Sequence, residues 1–220
     1  MLACDVVQAL LLDLDETLYP RGNGVLRRID ARINSFMTER LGIDAARVDE
    51  ERIALRDRWG TTMRGLSERF TIDLEDYLRH CHGVDLSDLL APDPRLRALL
   101  ERIPVRKAVL TNAPRAHARQ VLELLGIADQ MELVLALEDI GYAPKPAATA
   151  YATALQRLDV PADACLFVDD TLSFVQAAAR HGLHAAWMAP PEAPVPAEAA
   201  HHVVRDVHEI EPLVARLAAR

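Results

Sequence analysis

Short apolar runs separated by helical patterns are the feature that most constrains this fold. The first run, residues 6–12, shows no alternation of polar and apolar side chains, as is typical of a strand covered on both faces of a parallel sheet. Similar runs recur at residues 108–110, 133–135, 164–168, 185–188 and, more weakly, 202–204. Helical patterns lie between them over residues 115–125, 147–158 and 172–180. This alternation predicts βαβ units and therefore an α/β fold with a doubly wound, mostly parallel sheet.

The stretch from residue 18 to residue 90 has a different pattern from the rest of the chain. It contains no convincing strand, and its helical patterns lie near residues 25–41, 45–59 and 74–80. A separate all-helical N-terminal domain is one interpretation, but it would leave the strand at residues 6–12 without neighbours. The alternative that keeps this strand in the sheet is an α-helical cap inserted after it.

We therefore predict two parts. After the helical stretch, a helical pattern at residues 92–100 leads to the second strand of the sheet. The predicted cap is residues 18–90, and the predicted α/β core is residues 1–17 together with residues 91–220.

Charge and composition exclude several classes of protein. The 220 residues include 25 Lys and Arg against 33 Asp and Glu, a net charge of −8 without a basic block, which argues against binding to nucleic acids or acidic membranes. No run approaches the roughly 18 apolar residues of a membrane span, and the N-terminus lacks the pattern of a signal peptide. Cys4, Cys81 and Cys165 are odd in number and lack CxxC spacing, so disulfides and a zinc site are not expected. Together these features predict a cytoplasmic protein.

Polar residues stand where three of the predicted strands end. Strand one is followed by Asp13-Leu14-Asp15-Glu16-Thr17, the next by Thr111-Asn112, and the fourth by Asp169-Asp170. A single ending of this kind is routine, because Asp and Thr are common in turns and at helix starts. Since ligands bind beyond the carboxyl ends of strands in open α/β sheets, three such endings together predict one shared site.

The acidic residues of this predicted site require a cation. They are Asp13, Asp15, Asp169 and Asp170. Two like charges about 4 Å apart repel by about 4 kcal/mol at an effective dielectric constant of 20, so four clustered carboxylates would otherwise protonate or separate. Hard oxygen ligands favour Mg²⁺, and neither the spacing of a calcium loop nor an HExxH motif is present.

Lys145 is the basic residue that we expect at this site. Only Lys107 and Lys145 are lysines among 25 basic residues, and Lys145 stands between Pro144 and Pro146, which stiffen its loop. A lysine ammonium can lie as a point charge between a carboxylate and a phosphate. The alternative is an ordinary surface lysine.

These residues resemble, in chain order, the motifs of the haloacid dehalogenase (HAD) superfamily of phosphohydrolases. The first motif corresponds to residues 13–17, the second to Thr111-Asn112, the third to Lys145 and the fourth to Asp169-Asp170. The resemblance covers essentially the whole chain, including the helical cap. More narrowly, residues 17–20 and 60–66 resemble the pyrimidine 5′-nucleotidase subgroup, except that Glu16 stands where that subgroup usually has Asn.

The resemblance implies a two-step hydrolysis of a phosphate monoester. Asp13 would attack phosphorus to form an aspartyl-phosphate, while Asp15 would protonate the leaving group and then activate water. This requires the chain to leave extended geometry after Asp13, because alternation would otherwise send the two side chains to opposite faces.

The resemblance also implies roles for the remaining polar residues. Mg²⁺ would be held by Asp13, the backbone carbonyl of Asp15 and Asp170, with Asp169 either a direct ligand or acting through water. The Thr111 hydroxyl and the Asn112 backbone amide would bind phosphate oxygens. Lys145 would offset the charge of the nucleophile and of the transition state.

The substrate predicted from the subgroup resemblance is a pyrimidine nucleoside 5′-monophosphate. In the cap, Arg64 is the predicted substrate contact, because Gly60 and Gly65 would let the backbone approach a ligand; an ordinary solvated arginine is the alternative. Another small phosphorylated metabolite, such as phosphoglycolate or a sugar phosphate, stays open. The patterns carry no expectation about oligomeric state.

Three other classes of protein are less compatible with these residues than a phosphatase. Dehalogenases of this superfamily work without metal and lack the second Asp of the first motif, so Asp15 and Asp169-Asp170 favour a phosphatase. A phosphorylation-dependent signalling receiver would be about half as long, and its Lys would follow every acid, whereas here Asp169 and Asp170 follow Lys145. A catalytically inactive HAD-like binding protein is disfavoured, because no required side chain is missing.

Overall fold

The computed structural model describes residues 7–195 and 202–218. The chain divides into two compact units, the first formed by Met1–Arg21 and Leu90–Arg220 and the second by Gly22–Leu89. Cys4 and His201, the start of the predicted first strand and the end of the Pro- and Ala-rich stretch at residues 189–200 lie outside the described residues. No helix among the described residues has both the length and the apolar character to cross a bilayer.

A six-stranded parallel sheet forms the centre of the first unit. Its strands are, in chain order, β1 (Ala9–Leu12), β2 (Arg106–Leu110), β3 (Leu133–Leu135), β4 (Cys165–Asp169), β5 (His184–Met188) and β6 (His202–Val204). Across the sheet the order is β3-β2-β1-β4-β5-β6, and every neighbouring pair is parallel. This order confirms the predicted doubly wound α/β sheet, with the chain turning in opposite directions on the two sides of β1.

Helices account for most of the remaining described residues. They are α1 (Val25–Glu39), α2 (Val48–Trp59), α3 (Thr62–Arg69), α4 (Leu74–His82), α5 (Pro94–Arg102), α6 (Arg115–Leu124), α7 (Ala148–Leu158), α8 (Leu172–Arg180) and α9 (Ile210–Ala218). The last five belong to the first unit, where α5 to α8 each precede one of the strands β2 to β5 and α9 follows β6. Every residue of β1 and β4 is buried, as expected of central strands that are covered on both faces.

The second unit consists of the first four helices. Within it, α1 packs against α4 and α2 packs against α3. Phe36 of α1 and Tyr77 of α4 pack edge to face, with ring centroids 5.1 Å apart. Gly65 lies inside α3 because a Cβ there would come within 2.8 Å of the Leu55 side chain, so its absence lets α2 and α3 pack closely.

Several element boundaries differ from the sequence expectations. Helix α2 begins at Val48 rather than residue 45, because residues 44–47 form a turn in which Asp44 accepts the backbone N–H of Ala46. Helix α3 was not predicted, since the two glycines at positions 60 and 65 resemble a loop. Helix α5 begins at Pro94, where Asp93 caps the N-terminus, two residues later than expected.

Candidate active site

The register between β1 and β4 brings two of the predicted acids side by side. Leu12 pairs with Val168, so the next residue of each strand, Asp13 and Asp169, reaches the same edge of the sheet. The backbone N–H of Asp13 donates to the Val168 carbonyl at 2.9 Å, which fixes Asp13 against β4. Both side chains are buried.

Three carboxylates meet at this edge. Asp13, Asp169 and Asp170 each offer an oxygen, and these oxygens lie within 4.8 Å of one another. Burial raises the pKa of Asp170 to about 6, and the charge of Asp13 adds to the shift. Burial likewise raises the pKa values of Asp13 and Asp169, against the opposing effect of Lys145. A cluster of oxygen ligands whose charged form is disfavoured on its own is suited to a hard divalent cation such as Mg²⁺.

Lys145 joins two of these carboxylates. Its ammonium donates to Asp13 Oδ1 at 2.7 Å and to Asp169 Oδ2 at 2.6 Å. The side chain is 1% exposed, and the Phe167 and Phe174 rings lie 5.4 and 5.5 Å from Nζ. Burial opposes the charge, but the two carboxylates raise the pKa of Lys145 above its usual value, so the ammonium stays protonated. The structure therefore excludes an ordinary surface lysine.

The residues after β2 hold the loop that carries Lys145. The Asn112 side chain accepts the backbone N–H of Lys145 at 2.7 Å and donates to its carbonyl at 3.0 Å. This paired contact fixes the Lys145 backbone, which precedes a cis peptide bond to Pro146. Thr111 is buried, and its hydroxyl accepts the backbone N–H of Ala113 at 3.0 Å.

The chain leaves extended geometry directly after β1, as the sequence argument required. The backbone N–H groups of Thr17 and Leu18 both donate to the Leu14 carbonyl, and Glu16 has a positive φ of 59°. Asn adopts this left-handed conformation more readily than Glu, which gives a physical reason for the Asn that the pyrimidine 5′-nucleotidase subgroup has at this position.

This turn directs the Asp15 carboxylate to partners outside the three-carboxylate cluster. The Tyr19 hydroxyl donates to Asp15 Oδ1 at 2.7 Å, and His117 Nε2 lies 2.7 Å from the same oxygen. Burial and the charge of Asp15 raise the pKa of Tyr19 far above its usual value, so its hydroxyl remains a donor. The predicted contribution of Asp15 to a metal site was through its backbone carbonyl and stays a prediction.

Asp170 has partners of its own. Arg21 donates to Asp170 Oδ2 at 2.5 Å and also forms an ion pair with Glu16 at 3.1 Å. The Trp187 indole donates to the Asp170 carbonyl at 2.9 Å, which anchors the loop after β4 to β5. Thr171 contributes a hydroxyl contact to the Asp170 carboxylate at 3.2 Å.

Arg64 lies in the second unit and is exposed on α3. The two glycines that suggested a close approach to a ligand have other functions here. Gly60 ends α2 in the left-handed conformation with φ 83°, and Gly65 admits the Leu55 side chain. These packing and capping roles explain the two glycines without a ligand, and the role of Arg64 stays a prediction.

Sequence reasoning assigned no contact to several side chains that hydrogen-bond to predicted site residues: Thr17, Tyr19, Arg21, His117, Thr171 and Trp187. Thr17 donates to Asp13 Oδ2 at 3.2 Å, so both oxygens of Asp13 are engaged. The signal for His117 was its place in the first turn of α6, on the same face as the buried Val121.

Comparison with curated proteins gives a relative in yeast. Phosphate metabolism protein 8 of Saccharomyces cerevisiae is 28% identical over 133 residues, which is 56% of this chain. The aligned part covers 41% of the yeast protein, so the chain spans less than half the length of this relative.

Solved structures with the same fold include both phosphatases and dehalogenases. A HAD phosphatase from Thermococcus onnurineus is 19% identical with a TM-score of 0.67, covering 94% of this chain and 97% of its own. The HAD-hydrolase YfnB from Bacillus subtilis, bound to magnesium, is 17% identical with a TM-score of 0.65, covering 95% and 99%. A 2-haloacid dehalogenase from Pseudomonas syringae is 20% identical with a TM-score of 0.61, covering 96% and 99%. At these identities the similarity shows a shared fold.

The family match extends over most of the first unit and all of the second. It runs from residue 7 to residue 182 and thus includes the acids after β1, the residues after β2, Lys145 and the acids after β4. A match over more than half of the chain, together with the observed fold, shows that this protein belongs to the haloacid dehalogenase-like hydrolase family.

Proposed function

We propose that this hydrolase is a Mg²⁺-dependent phosphomonoesterase that works through an aspartyl-phosphate on Asp13. The observation that carries the proposal is the buried cluster in which Asp13, Asp169 and Asp170 bring oxygens within 4.8 Å while the Lys145 ammonium bonds two of them. A phosphate dianion would be repelled by these carboxylates alone, so the cluster suits a phosphate ester only together with a cation.

The proposed metal ligands are Asp13, Asp170 and the backbone carbonyl of Asp15, with Asp169 binding directly or through water. The raised pKa of Asp170 supports this set, because a carboxylate that is costly to ionise by itself gains most from a bound cation. Bound there, Mg²⁺ would neutralise phosphate oxygens and act as a Lewis acid.

In the first proposed step, an Asp13 oxygen forms a bond to phosphorus as the bond between phosphorus and the ester oxygen breaks. Asp15, in its acid form, gives its proton to the departing alkoxide, which leaves as the alcohol. In the second step, the Asp15 carboxylate takes a proton from water, and the water oxygen attacks phosphorus. The bond between Asp13 and phosphorus then breaks, which releases inorganic phosphate.

The remaining predicted residues are assigned to phosphate binding. The Thr111 hydroxyl and the Asn112 backbone amide are proposed to bind phosphate oxygens, while Lys145 offsets charge on the nucleophile and in the transition state. The Asn112 side chain hydrogen-bonds to the Lys145 backbone at 2.7 and 3.0 Å. Asn112 would therefore position Lys145 through its side chain and bind phosphate through its backbone.

For the substrate we propose a pyrimidine nucleoside 5′-monophosphate, with Arg64 as a contact. Support comes from the resemblance of residues 17–20 and 60–66 to the pyrimidine 5′-nucleotidase subgroup. The name of the yeast relative refers to phosphate metabolism, which supports the broader class of small phosphate esters. We also propose a cytoplasmic location, to be tested by cell fractionation; the buried free thiols of Cys81 and Cys165 are compatible with it.

The deciding experiment is a panel of phosphate-release assays with UMP, CMP, AMP, phosphoglycolate and sugar phosphates. Each compound is assayed with Mg²⁺ and with EDTA, and chloride release from 2-chloropropionate is measured in parallel. We expect phosphate release from UMP and CMP that EDTA abolishes and Mg²⁺ restores. Preference for a non-nucleotide would overturn the substrate, metal-independent hydrolysis would overturn the cofactor, and chloride release without phosphatase activity would overturn the reaction class.

A further inference from the structure

Two hydrogen-bonding groups converge on a single oxygen of Asp15. The Tyr19 hydroxyl donates to Oδ1 at 2.7 Å, and His117 Nε2 lies 2.7 Å from the same atom. Both rings are buried, with 4% exposure for Tyr19 and 1% for His117. Tyr19 follows on the same turn as Asp15, whereas His117 reaches it from the first turn of α6.

This arrangement makes the two oxygens of Asp15 chemically different. A carboxylate oxygen has two lone-pair directions, and the Tyr19 hydroxyl occupies one of them on Oδ1. The imidazole occupies the other when His117 is in the tautomer that carries its proton on Nε2. Both contacts stabilise negative charge on Oδ1. Two bonds to one oxygen also restrict rotation of the carboxyl group, because they come from different elements of the first unit.

We infer that His117 and Tyr19 are positioning residues that hold the Asp15 carboxyl in the orientation from which it gives a proton to the leaving group. This inference rests on the proposed phosphatase function and assigns neither residue to contact with substrate. Rigid rings suit the task, because a buried imidazole and a buried phenol have few rotamers and lose little entropy when they are held in place. The buried Ala118 and Val121 anchor α6 and hence the position of His117.

The inference predicts a dependence on the leaving group. An alkoxide is a poor leaving group and needs the proton from Asp15, whereas p-nitrophenolate departs without it. The ratio kcat/KM covers the steps up to alcohol release, so it reports the first proton transfer and not the later activation of water. A misplaced Asp15 therefore lowers kcat/KM for alkyl esters far more than for the nitrophenyl ester.

The test compares kcat/KM for a nucleoside 5′-monophosphate and for p-nitrophenyl phosphate in four variants. His117→Leu removes the Nε2 contact, His117→Gln offers an amide N–H in its place, and Tyr19→Phe removes the hydroxyl. Tyr151→Phe is the matched control, because it deletes a buried tyrosine hydroxyl that donates to the Phe174 carbonyl at 2.8 Å, away from Asp15.

We expect His117→Leu to lower kcat/KM for the nucleotide by about 10–100-fold and for p-nitrophenyl phosphate by less than about 3-fold. Glutamine should restore most of the nucleotide activity, Tyr19→Phe should give the same selectivity with a smaller loss, and Tyr151→Phe should leave the ratio of the two esters unchanged. Most of the change should appear in kcat.

Equal losses on both esters, or undiminished nucleotide activity in His117→Leu and Tyr19→Phe, would overturn the inference. If His117→Leu does not fold, the glutamine and Tyr19→Phe variants decide the question through the ester ratio. A wild-type protein that releases phosphate from neither ester would instead refute the proposed function, so the two failures are distinguishable.

Discussion

Each of the two structural units contains a buried cation held by two carboxylates, but the two arrangements differ in the depth of the acids. In the first unit, Lys145 bonds Asp13 and Asp169, whose side chains are 10% and 1% exposed. In the second unit, Arg52 bonds Asp30 and Asp49, whose side chains are 40% and 73% exposed. The cations themselves are similarly buried, at 1% and 9%.

The difference distinguishes the candidate site from an ion-pair cluster that joins two helices. The two carboxylates that pair with Arg52 are exposed enough to be hydrated. Together with Asn34 they link α2 to α1. The two carboxylates that pair with Lys145 are too deeply buried to be hydrated in the same way. Their charge is therefore stabilised by the ammonium and by any cation that binds beside them. The two units therefore differ in how deeply the carboxylates are buried and much less in how deeply the cations are buried. The unit with the buried carboxylates is the one suited to bind a charged ligand.

The largest expected effect comes from neutralising one acid in each unit. Asp13→Asn should reduce phosphate release at least about 10³-fold, because an amide cannot form the aspartyl-phosphate. Asp30→Asn is the matched variant, because it removes an acid from the other buried cation, and phosphate release should stay within about 2-fold of wild type. Circular dichroism should show that both fold, and activity in Asp13→Asn would remove the nucleophile assignment.

The next effect concerns the cations and is measured by denaturant unfolding in EDTA. Lys145→Met should lower the free energy of unfolding by about 3–5 kcal/mol, because it leaves buried carboxylates unpaired. Arg52→Met should cost about 1–2 kcal/mol, since its partners remain hydrated. Addition of Mg²⁺ should restore part of the loss in Lys145→Met and none in Arg52→Met. An equal loss of unfolding free energy in the two variants would contradict the proposed difference between the two buried cations.

Arg21 is a third cation that pairs with two carboxylates, but it is 44% exposed, unlike the buried Lys145 and Arg52. It bridges Glu16 and Asp170. Glu16 has a left-handed backbone, so Glu16→Asn should stabilise the protein by about 0.5–1 kcal/mol, as measured by thermal unfolding. Solvent screens the ion pair that is lost, because the Arg21 side chain is 44% exposed. Glu16→Gln is the control, because it removes the charge without favouring this backbone conformation. An equal gain in both variants would attribute the effect to charge rather than to the backbone.

The smallest effect is a pH dependence within the second unit. Burial and the neighbouring charge of Arg32 lower the pKa of His80 below its usual value of 6.5, so the unfolded state binds protons more readily there. The contribution of His80 to stability is therefore complete above pH 6.5 and is lost as the pH falls below it. His80→Gln should flatten the decline in melting temperature between pH 7.5 and 5.0. An unchanged decline would assign it to other groups.

The sheet could be predicted from sequence because its central strands are buried on both faces and are therefore apolar without interruption. The second unit was harder, and α3 shows why. Its glycine at position 65 lowers helix propensity, and the reason for it is the Leu55 side chain of another helix, which no local pattern reveals. Helix α3 therefore forms because of its tertiary packing, although its local helix propensity is low.

The candidate site was likewise predictable from the sequence only in part. The three clustered acids were predicted because parallel strands end at one edge, a rule that needs no side-chain detail, and Lys145 was predicted from the scarcity of lysine in the sequence. The contacts of His117 with Asp15 and of the Asn112 side chain with Lys145 were missed, because each joins segments far apart in the sequence. Ordinary histidine and asparagine residues gain these roles only from the relative positions of the elements that carry them.

The scarcity of lysine has a practical consequence for labelling. Reagents that acylate amines attack the uncharged form, and Lys145 is buried with its proton held by two carboxylates. Lys107 is more accessible, and burial lowers its pKa, so of the two lysines it is the reactive one. It lies at the amino end of β2, whereas the predicted chemistry lies at the carboxyl ends of the strands. A fluorophore introduced through lysine would therefore report on folding from the edge of the sheet opposite the predicted chemistry.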